Sequence, residues 1–373
     1  MISIVMPTSF DPGLLDRLAG LNDRYAANEI AVRELYGSLP RNRAGSGRPG
    51  RSLPRTDVHD LEAHVRAAAG RGFSFTYLVN SSCTGNREFD PAARRRLADE
   101  LAWIRDAGCR AIVVASPYLI DLARRYAPEL RIHVSSIAFA KSTKEARHYL
   151  DRGASRLVLD PDTVRDFAFL RRLRRECPDL ELEALANHPC LLHCPYETYC
   201  YNSVSHASTS EESAPYESYS LLACHLDKLA RPVEFVKGSW FRPQDAIHYE
   251  RAGVTAIKLA GRGRGTDWLA RTAETYLSRR FDGDMMELVW EAQWTAVWRS
   301  TGRSAPPPFP VRVDASAFDG FLDRFVEKDP GCRSGCGSCR HCDAFAGRAL
   351  AFDPAELERR RDELRTAFEG LTG

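Results

Sequence analysis

The sequence predicts an α/β fold of the (β/α)8 barrel type, irregular in places, followed by a small, mainly helical, cysteine-rich C-terminal region. Three observations predict it. Short β-rich runs alternate with helical stretches along the first 280 residues, the signature of repeated βα units around a parallel sheet. Eight such runs can be read, the number that closes a barrel. After about residue 280 the alternation gives way to helical segments, a proline-rich turn at Ala305-Pro306-Pro307-Pro308 and a run of cysteines.

The strand candidates, in order, are Ile2 to Met6, Glu29 to Leu35, Phe73 to Val79, Ala111 to Ala115, Arg131 to Ser135, Arg156 to Leu159, Leu180 to Leu185 and Ala256 to Leu259. A further short run, Val233 to Val236, reads either as an extra strand or as the lead into a helix near Pro243. Helices are expected over Asp90 to Ala107, Pro117 to Tyr126, Ser142 to Arg152 and Pro243 to Arg251, several opened by the Asp, Ser or Pro that favours a helix start. An amphipathic stretch from Pro354 to Phe368 ends the chain. This divides the sequence into a barrel over 1–280 and a helical accessory region over 281–373. No repeat of solenoid period is present. In such a barrel, function belongs to the loops at the C-terminal ends of the strands.

Composition narrows the class. The 373 residues are 44% hydrophobic, ample for a large core. With 52 basic and 50 acidic residues the formal charge is +2, which argues against generic electrostatic binding of nucleic acid. The basic runs Arg94-Arg95-Arg96, Arg171-Arg172 and Arg174-Arg175 lie in helix-like segments among acids and read as solvated faces. No apolar run approaches the roughly 18 residues of a membrane span. Met1 leads straight into a strand-like segment with no signal-peptide pattern, so the expected setting is soluble and cytoplasmic.

That setting decides how the cysteines are read, because a reducing compartment leaves thiols free for metal rather than disulfides. Eight of the eleven cysteines fall into two sets. The middle set is Cys190, Cys194, Cys200 and Cys224. The late set is Cys332, Cys336, Cys339 and Cys342 in CRSGCGSCRHC, spaced closely enough to hold one inorganic centre. Cys83 follows the third strand in LVNSSCTGN and Cys190 the seventh in LEALANHPC, so both project at the barrel rim. Cys224, in the helix-like SYSLLACHLDKL, packs back over that rim. Thiolates suit an iron-sulfur cluster or zinc. The late set reads as a second iron-sulfur cluster or as a structural zinc. Its CxxxCxxC portion echoes the radical-SAM signature but lies far from the first strand, where that motif belongs. Cys109 and Cys177 read as core residues.

Other residues could shape a pocket. Gly45, Ser46, Gly47 and Arg48 form a loop whose amides and guanidinium suit an anion; a flexible surface loop is the plainer reading. The turn Gly261-Arg262-Gly263-Arg264-Gly265-Thr266 follows the last strand, where phosphate sites often form. It reads as an Arg-lined carboxylate or phosphate pocket, or as an ordinary glycine turn. Arg242, in the run SWFRPQD, and Tyr196 complete the substrate-binding candidates, with Tyr201 beside them. His188, His193 and His206 flank the cysteines and are candidates for proton transfer, His206 and His193 foremost. No HExxH, GxSxG or assembled triad is present.

The block NHPCLLHCPYETYCYNSVSHAS, followed by VEFVKGSWFRPQDAIHYERAGVTAIKLAGR, resembles the core of the U32 family, known as collagenase-like peptidases. ELYGSL with GSGR, and LVNSSCTGN, extend the resemblance over most of residues 1 to 280. It implies kinship with barrel proteins that bind a 4Fe-4S cluster and serve in oxygen-independent hydroxylation of ubiquinone precursors or RNA bases. Carried over position by position, the resemblance assigns Cys190, Cys194 and Cys224 as ligands. Relatives often carry His where this sequence has Cys200, which leaves the fourth ligand between Cys83 and Cys200, with Cys83 favoured because it ends a barrel strand. The expected substrate is a small aromatic or heteroaromatic molecule, a nucleobase or a peptide. The expected partners are an electron donor such as a ferredoxin and a related protein in a heterodimer. A metal-dependent hydrolase, and an electron-transfer or binding subunit, are the alternatives.

Overall fold

The computed structural model describes residues 2–209, 218–303, 305–327 and 339–372. Its centre is a closed barrel of eight parallel strands: β1 (Ile2–Pro7), β2 (Ile30–Gly37), β3 (Ser74–Val79), β4 (Ala111–Val114), β5 (Arg131–Val134), β6 (Arg156–Val158), β7 (Glu181–Leu185) and β8 (Ala256–Lys258). Each pairs with its successor in sequence, and β8 returns to β1 with Ser3 opposite Ala256. The register of β1 on β2 shifts between Ile4 and Val5, where the pairing passes from Val32 to Glu34. Every strand lies where the hydrophobic rhythm put it, to within two residues.

The helices follow in order: α1 (Pro12–Arg24), α2 (Val58–Gly70), α3 (Pro91–Asp106), α4 (Pro117–Tyr126), α5 (Thr143–Asp151), α6 (Phe167–Glu176), α7 (Glu197–Thr209), α8 (Ser218–Ala230), α9 (Val233–Lys237), α10 (Ala246–Arg251), α11 (Thr266–Ser278), α12 (Met285–Val289), α13 (Glu291–Ser300), α14 (Asp323–Glu327), α15 (His341–Ala349) and α16 (Pro354–Thr372). Their starts are chemically marked. Asp90 caps α3 by accepting from the amides of Ala92 and Ala93, and Ser142 caps α5 by accepting from Glu145 N, each satisfying amides that the first turn leaves unpaired. The run Val233 to Val236 is helix α9 and not a strand; a closed barrel has no free edge for a ninth strand to join.

Because side chains alternate across a strand, the barrel has two apolar layers. Outward residues such as Ile4, Leu35, Ile112 and Ile132 join the large core beneath the helices. Inward residues Val5, Tyr36, Leu78, Val113 and Ala256 form a separate inner cluster.

One strand-step from that cluster the interior is charged. Arg156 donates to Glu34 at 2.8 Å, to Glu183 at 2.9 Å and to Glu181 at 2.9 Å. Lys258 donates to the other oxygen of Glu183 at 2.8 Å, and Thr76 donates to Glu34 at 2.7 Å. Glu183 is 1% exposed, so these charges stand because each has its opposite. Burial holds His133, beside Glu34, well below the ordinary histidine range and therefore neutral.

The crossover from β7 to β8 carries α7 to α10, and the C-terminal region closes over it. Helix α8 packs against both α13 and α16. A two-stranded antiparallel ribbon, β9 (Arg312–Val313) with β10 (Leu350–Ala351), sits in the same region. Described side chains of the C-terminal region, Trp290, Trp294, Phe318 and Phe345 among them, join the same core as the barrel.

Arg242, expected at the substrate, is instead a tie between the two parts. Buried at 3% exposure, it donates to both oxygens of Asp245 at 2.9 Å, to the Ala315 carbonyl at 2.9 Å and to Asp319 at 2.8 Å. Four of the five guanidinium N–H donors are thus engaged inside the protein, which makes Arg242 a structural tie.

Cys109 and Cys177 are buried core residues. Cys332 and Cys336 lie outside the described residues; Cys339 and Cys342 are partly buried, Cys342 against the hydrophobic core. Among the described residues no helix is long and apolar enough to cross a membrane.

Candidate functional site at the barrel mouth

The loops after β2, β3, β7 and β8 meet at the C-terminal end of the barrel. Three sequence motifs far apart in the chain make one contact set there. The amide of Ser46 donates to Ser208 Oγ at 2.9 Å, that of Gly47 to Asn80 Oδ1 at 3.1 Å, and that of Ser82 to Ser205 Oγ at 2.9 Å. Gly45 lies at φ +77°, and a Cβ there would come within 2.9 Å of Thr209 and 3.0 Å of Ser208. Only glycine lets this loop meet α7 so closely.

Beneath the contact set is a cavity of about 80 Å³. The inner barrel residues Tyr36, Leu78, Val158 and Leu185 form its floor, and Arg48, His188, Tyr201, Lys258 and Arg262 bring polar groups to its walls.

The middle cysteines gather beside this cavity. Burial raises the Cys190 thiol, but neighbouring His188, with Lys228 and Arg48 after it, outweighs that and brings it down to about 6. Burial pushes Cys194 up to about 12, helped by the nearby Cys190, Cys224 and Cys200. Burial likewise pushes Cys224 up to about 12, against the pull of Lys228 and with the help of Cys190 and Cys200. Cys190, Cys200 and Cys224 all act on Cys194, so the four cysteines are neighbours. Among the described residues, no group of three or more His, Cys, Asp or Glu side chains is arranged to hold a metal ion as the side chains stand.

Cys83 lies in the loop after β3, as expected, and its Sγ accepts from the amide of Gly85 at 3.4 Å. Cys200 is one of the groups that raise Cys194 and Cys224, while the Cys83 loop meets α7 further along, through Ser82 with Asn202 and Ser205. Cys200 reaches the group because its amide closes the first turn of α7 on the Tyr196 carbonyl at 2.7 Å, which sets it one turn above the Cys194 loop.

Lys228 is the buried cation of the site, 1% exposed. Its Nζ donates to two neutral oxygens, Pro189 O at 2.6 Å and Gln293 Oε1 at 3.0 Å. Pro189 O also accepts from Trp290 Nε1 at 3.1 Å. Helix α8, which carries both Cys224 and Lys228, is thereby pinned to the residue preceding Cys190 and to the C-terminal region.

A second polar group lies at the end of β6. Lys141 Nζ stands 2.7 Å from Asp162, 3.7 Å from Asp160 and 3.7 Å from Glu197. Burial raises Asp160 to about 6, opposed by Lys141. Burial and then Asp160 raise Glu197 to about 7, opposed by Lys141. These carboxyls hold a proton close to neutral pH.

The remaining candidates separate. His193 is exposed and pairs with Asp162, its ring Nδ1 at 3.2 Å and its amide at 2.7 Å. His206 is exposed on α7. Neither lines the cavity; His188 does. Tyr196 donates to Asp227 at 3.0 Å and so ties the start of α7 to α8, while Tyr201 is the tyrosine that lines the cavity.

The chain matches the model of Peptidase family U32 over residues 51–287. It belongs to the U32 family. This U32 chain is similar to the "Uncharacterized protease MJ1657" of Methanocaldococcus jannaschii, 26% identical over 355 residues that span 94% of this chain and 99% of that protein. It is also similar to the "tRNA hydroxylation protein P1" of Bacillus subtilis, 32% identical over 209 residues, 48% of this chain and 44% of that protein. The solved structure of the U32 peptidase Mk0906 has the same fold, with a TM-score of 0.52 at 20% identity, covering 70% of this chain and 93% of that one.

Sequence reading of this U32 chain missed Lys228, Lys258, Asp160 and Glu197. A signal existed for Lys258, since charged residues within otherwise apolar strands, Glu34 in β2 and Glu181 and Glu183 in β7, mark a polar barrel interior. None existed for Lys228, whose solvent-face look on α8 changes only when α13 and α16 cover it.

Proposed function

We propose that this chain is an iron-sulfur enzyme in which Cys190, Cys194, Cys200 and Cys224 hold a 4Fe-4S cluster beside the barrel-mouth cavity. Its reaction is oxygen-independent hydroxylation, or a related modification, of a nucleobase, a small aromatic or heteroaromatic molecule, or a peptide. The observation that carries this reading is structural: the loop after β7 with Cys190 and Cys194, α7 with Cys200 and α8 with Cys224 are tied together by Lys228 to Pro189 O at 2.6 Å and Tyr196 to Asp227 at 3.0 Å, beside a buried ammonium whose own hydrogen bonds go to neutral oxygens. The name of the Bacillus subtilis relative favours hydroxylation as the chemistry.

The donor set suits a cluster better than one ion. Four sulfurs on a single zinc, each at ~2.3 Å, must lie within roughly 4 Å of one another, whereas a cluster distributes its thiolates over four irons. The four cysteines are spread over the loop after β7, α7 and α8, which suits the wider arrangement. Four thiolates also bring negative charge into a dry site, and Lys228 and Arg48 offset it.

When bound, such a cluster supplies electron transfer or an exchangeable iron acting as a Lewis acid. The chain's own residues do the rest. Tyr36, Leu78, Val158 and Leu185 shape an apolar floor for a flat substrate, and the loops carrying Gly45 and Gly47 exclude water above it. Asp160 and Glu197 keep a proton close to the rim near neutral pH. A ferredoxin-type electron donor and a related protein as heterodimer partner complete the proposal, with the late cysteines holding a second cluster or a zinc.

A hydrolytic reading has one observation in its favour, the Cys190–His188 pair with a thiol brought down to about 6. A thiol nucleophile needs its histidine oriented by a third group, and the second ring nitrogen, His188 Nδ1, is buried without a partner.

Anaerobic purification with iron, acid-labile sulfide and zinc analysis tests the proposal. About eight irons and eight sulfides per chain, or about four of each with one zinc, support it. Zinc without sulfide, together with peptide cleavage that survives iron chelation, returns the hydrolytic reading.

A further inference from the structure

We infer that the barrel-mouth cavity binds a free small molecule carrying one oxyanion on an apolar body, with Arg48 and Arg262 as the fork that grips the oxyanion. This deepens the proposed function by naming the substrate class at the same mouth. It rests on that reading only for setting the ligand beside the reacting centre.

The cationic wall is built from two loops more than 200 residues apart in sequence. Arg48 ends the Gly45–Arg48 loop and Arg262 follows β8, and both line the cavity. Glycine makes their meeting possible. A Cβ at Gly263, where φ is +90°, would fall 2.2 Å from the Ser52 carbonyl oxygen. A Cβ at Gly47 would fall 2.4 Å from Ile137.

Two like charges have thus been brought together, and among the described residues neither is paired with a carboxylate, the Cys190 thiol being the acidic group that Arg48 acts on. Burial and then Arg48 lower Arg262 to about 9, and the other groups acting on it are Tyr36 and Tyr201, neither ionised near neutral pH. Arg262 Nη1 is buried with no hydrogen-bond partner. A buried guanidinium N–H left unpaired costs free energy that an arriving oxyanion recovers. Lys258 adds no free cation, since it is paired with Glu183 and lies over the Tyr36 ring at 4.4 Å. It fixes the cavity floor.

The rest of the ligand follows from the other walls. Leu78, Ile137, Val158, Leu185 and Pro189 are apolar, and Tyr36 and Tyr201 offer ring faces. At about 80 Å³ the cavity is smaller than the ~150 Å³ space that accepts benzene, so one anionic group with a few carbons enters while any larger body extends towards the opening. A carboxylate and a phosphate share the required chemistry, planar or tetrahedral oxygens facing two guanidinium forks.

Titration calorimetry on the anaerobically purified full chain tests this, with benzoate, phenyl phosphate, inorganic phosphate and a short oligoribonucleotide as probes. Benzoate or phenyl phosphate should bind one per chain and be displaced by inorganic phosphate. Arg262→Gln should weaken binding about tenfold or more. Arg48→Gln, at an exposed position that leaves the fold undisturbed, should weaken it in the same direction. The inference is overturned if none of the small anions binds, if only the oligoribonucleotide does, or if both variants bind the small anions as the parent does. Binding is read without turnover, so a chain that binds benzoate but lacks iron refutes the proposed function alone. A chain that holds iron but binds no small anion refutes this inference alone.

Discussion

Lys228 Nζ lies 2.6 Å from the carbonyl oxygen of Pro189, the residue immediately before Cys190. This contact joins α8 to the loop after β7 and brings a buried positive charge to the two thiols, Cys190 and Cys224, that the elements carry. The rim site is thus assembled from both sides of the β7–β8 crossover.

Removing that charge separates its electrostatic role from its packing. Lys228→Met keeps the side-chain length and leaves Pro189 O its second donor, Trp290. The variant should fold and yet retain less iron, losing it faster to a chelator than the parent. Loss of the visible absorption band over time under chelator challenge measures this.

The fourth ligand is distinguished by a pair of single substitutions. Cys200→Ala should lower the iron and sulfide bound by the middle set, because Cys200 acts on Cys194 and Cys224. Cys83→Ala should leave both close to the parent value. Metal analysis of the two variants side by side reads the difference.

Arg156 holds the barrel interior together by pairing with Glu34, Glu183 and Glu181. Arg156→Met leaves Glu34 buried with only Thr76 donating to it and Glu183 with only Lys258, and removing one member of a buried ion group costs about 3–5 kcal/mol. Urea denaturation should show a lower midpoint with an unchanged slope.

Acid should destabilise the fold through its buried neutral histidines. His64 accepts or donates one hydrogen bond with Thr8 at 2.8 Å, and burial, with Arg71 adding to it against Asp11, lowers it from 6.5 to about 4. The unfolded chain takes up this proton first. The stability is therefore present above pH 6.5 and is lost as pH falls through about 4. His64→Gln should flatten the fall in stability across that window, by roughly 3 kcal/mol. Melting curves from pH 7 to pH 4 measure it.

The barrel was legible because each strand carries its own local signal, from Ile2-Ser3-Ile4-Val5 to Ala256-Ile257-Lys258, bounded by turn residues. The rim position of Cys190 was legible for the same reason. Other assignments depended on packing across long sequence separations. Cys83 stands out when only strand ends are known, whereas the placement of Cys200 one turn beyond the Cys194 loop appears only with α7. Arg242 looks free in SWFRPQD although Asp245 in that run takes two of its N–H groups, and its ties to Ala315 and Asp319 come from a segment with no sequence signal for contact. The run Val233 to Val236 has strand-forming residues, but the chain there leaves Pro232 as a helix. Arg48 and Arg262 were each visible as a loop residue, and only the closed barrel shows that they share one cavity.

The central claim is that the middle cysteines hold a 4Fe-4S cluster. The most direct test replaces Cys339 and Cys342 together with serine, which disables the late set, and quantifies iron and sulfide in the anaerobic protein beside the paramagnetic resonance of its reduced form. The account predicts about four irons and four sulfides per chain, with a resonance signal on reduction. A chain that keeps its fold but holds no sulfide would contradict it.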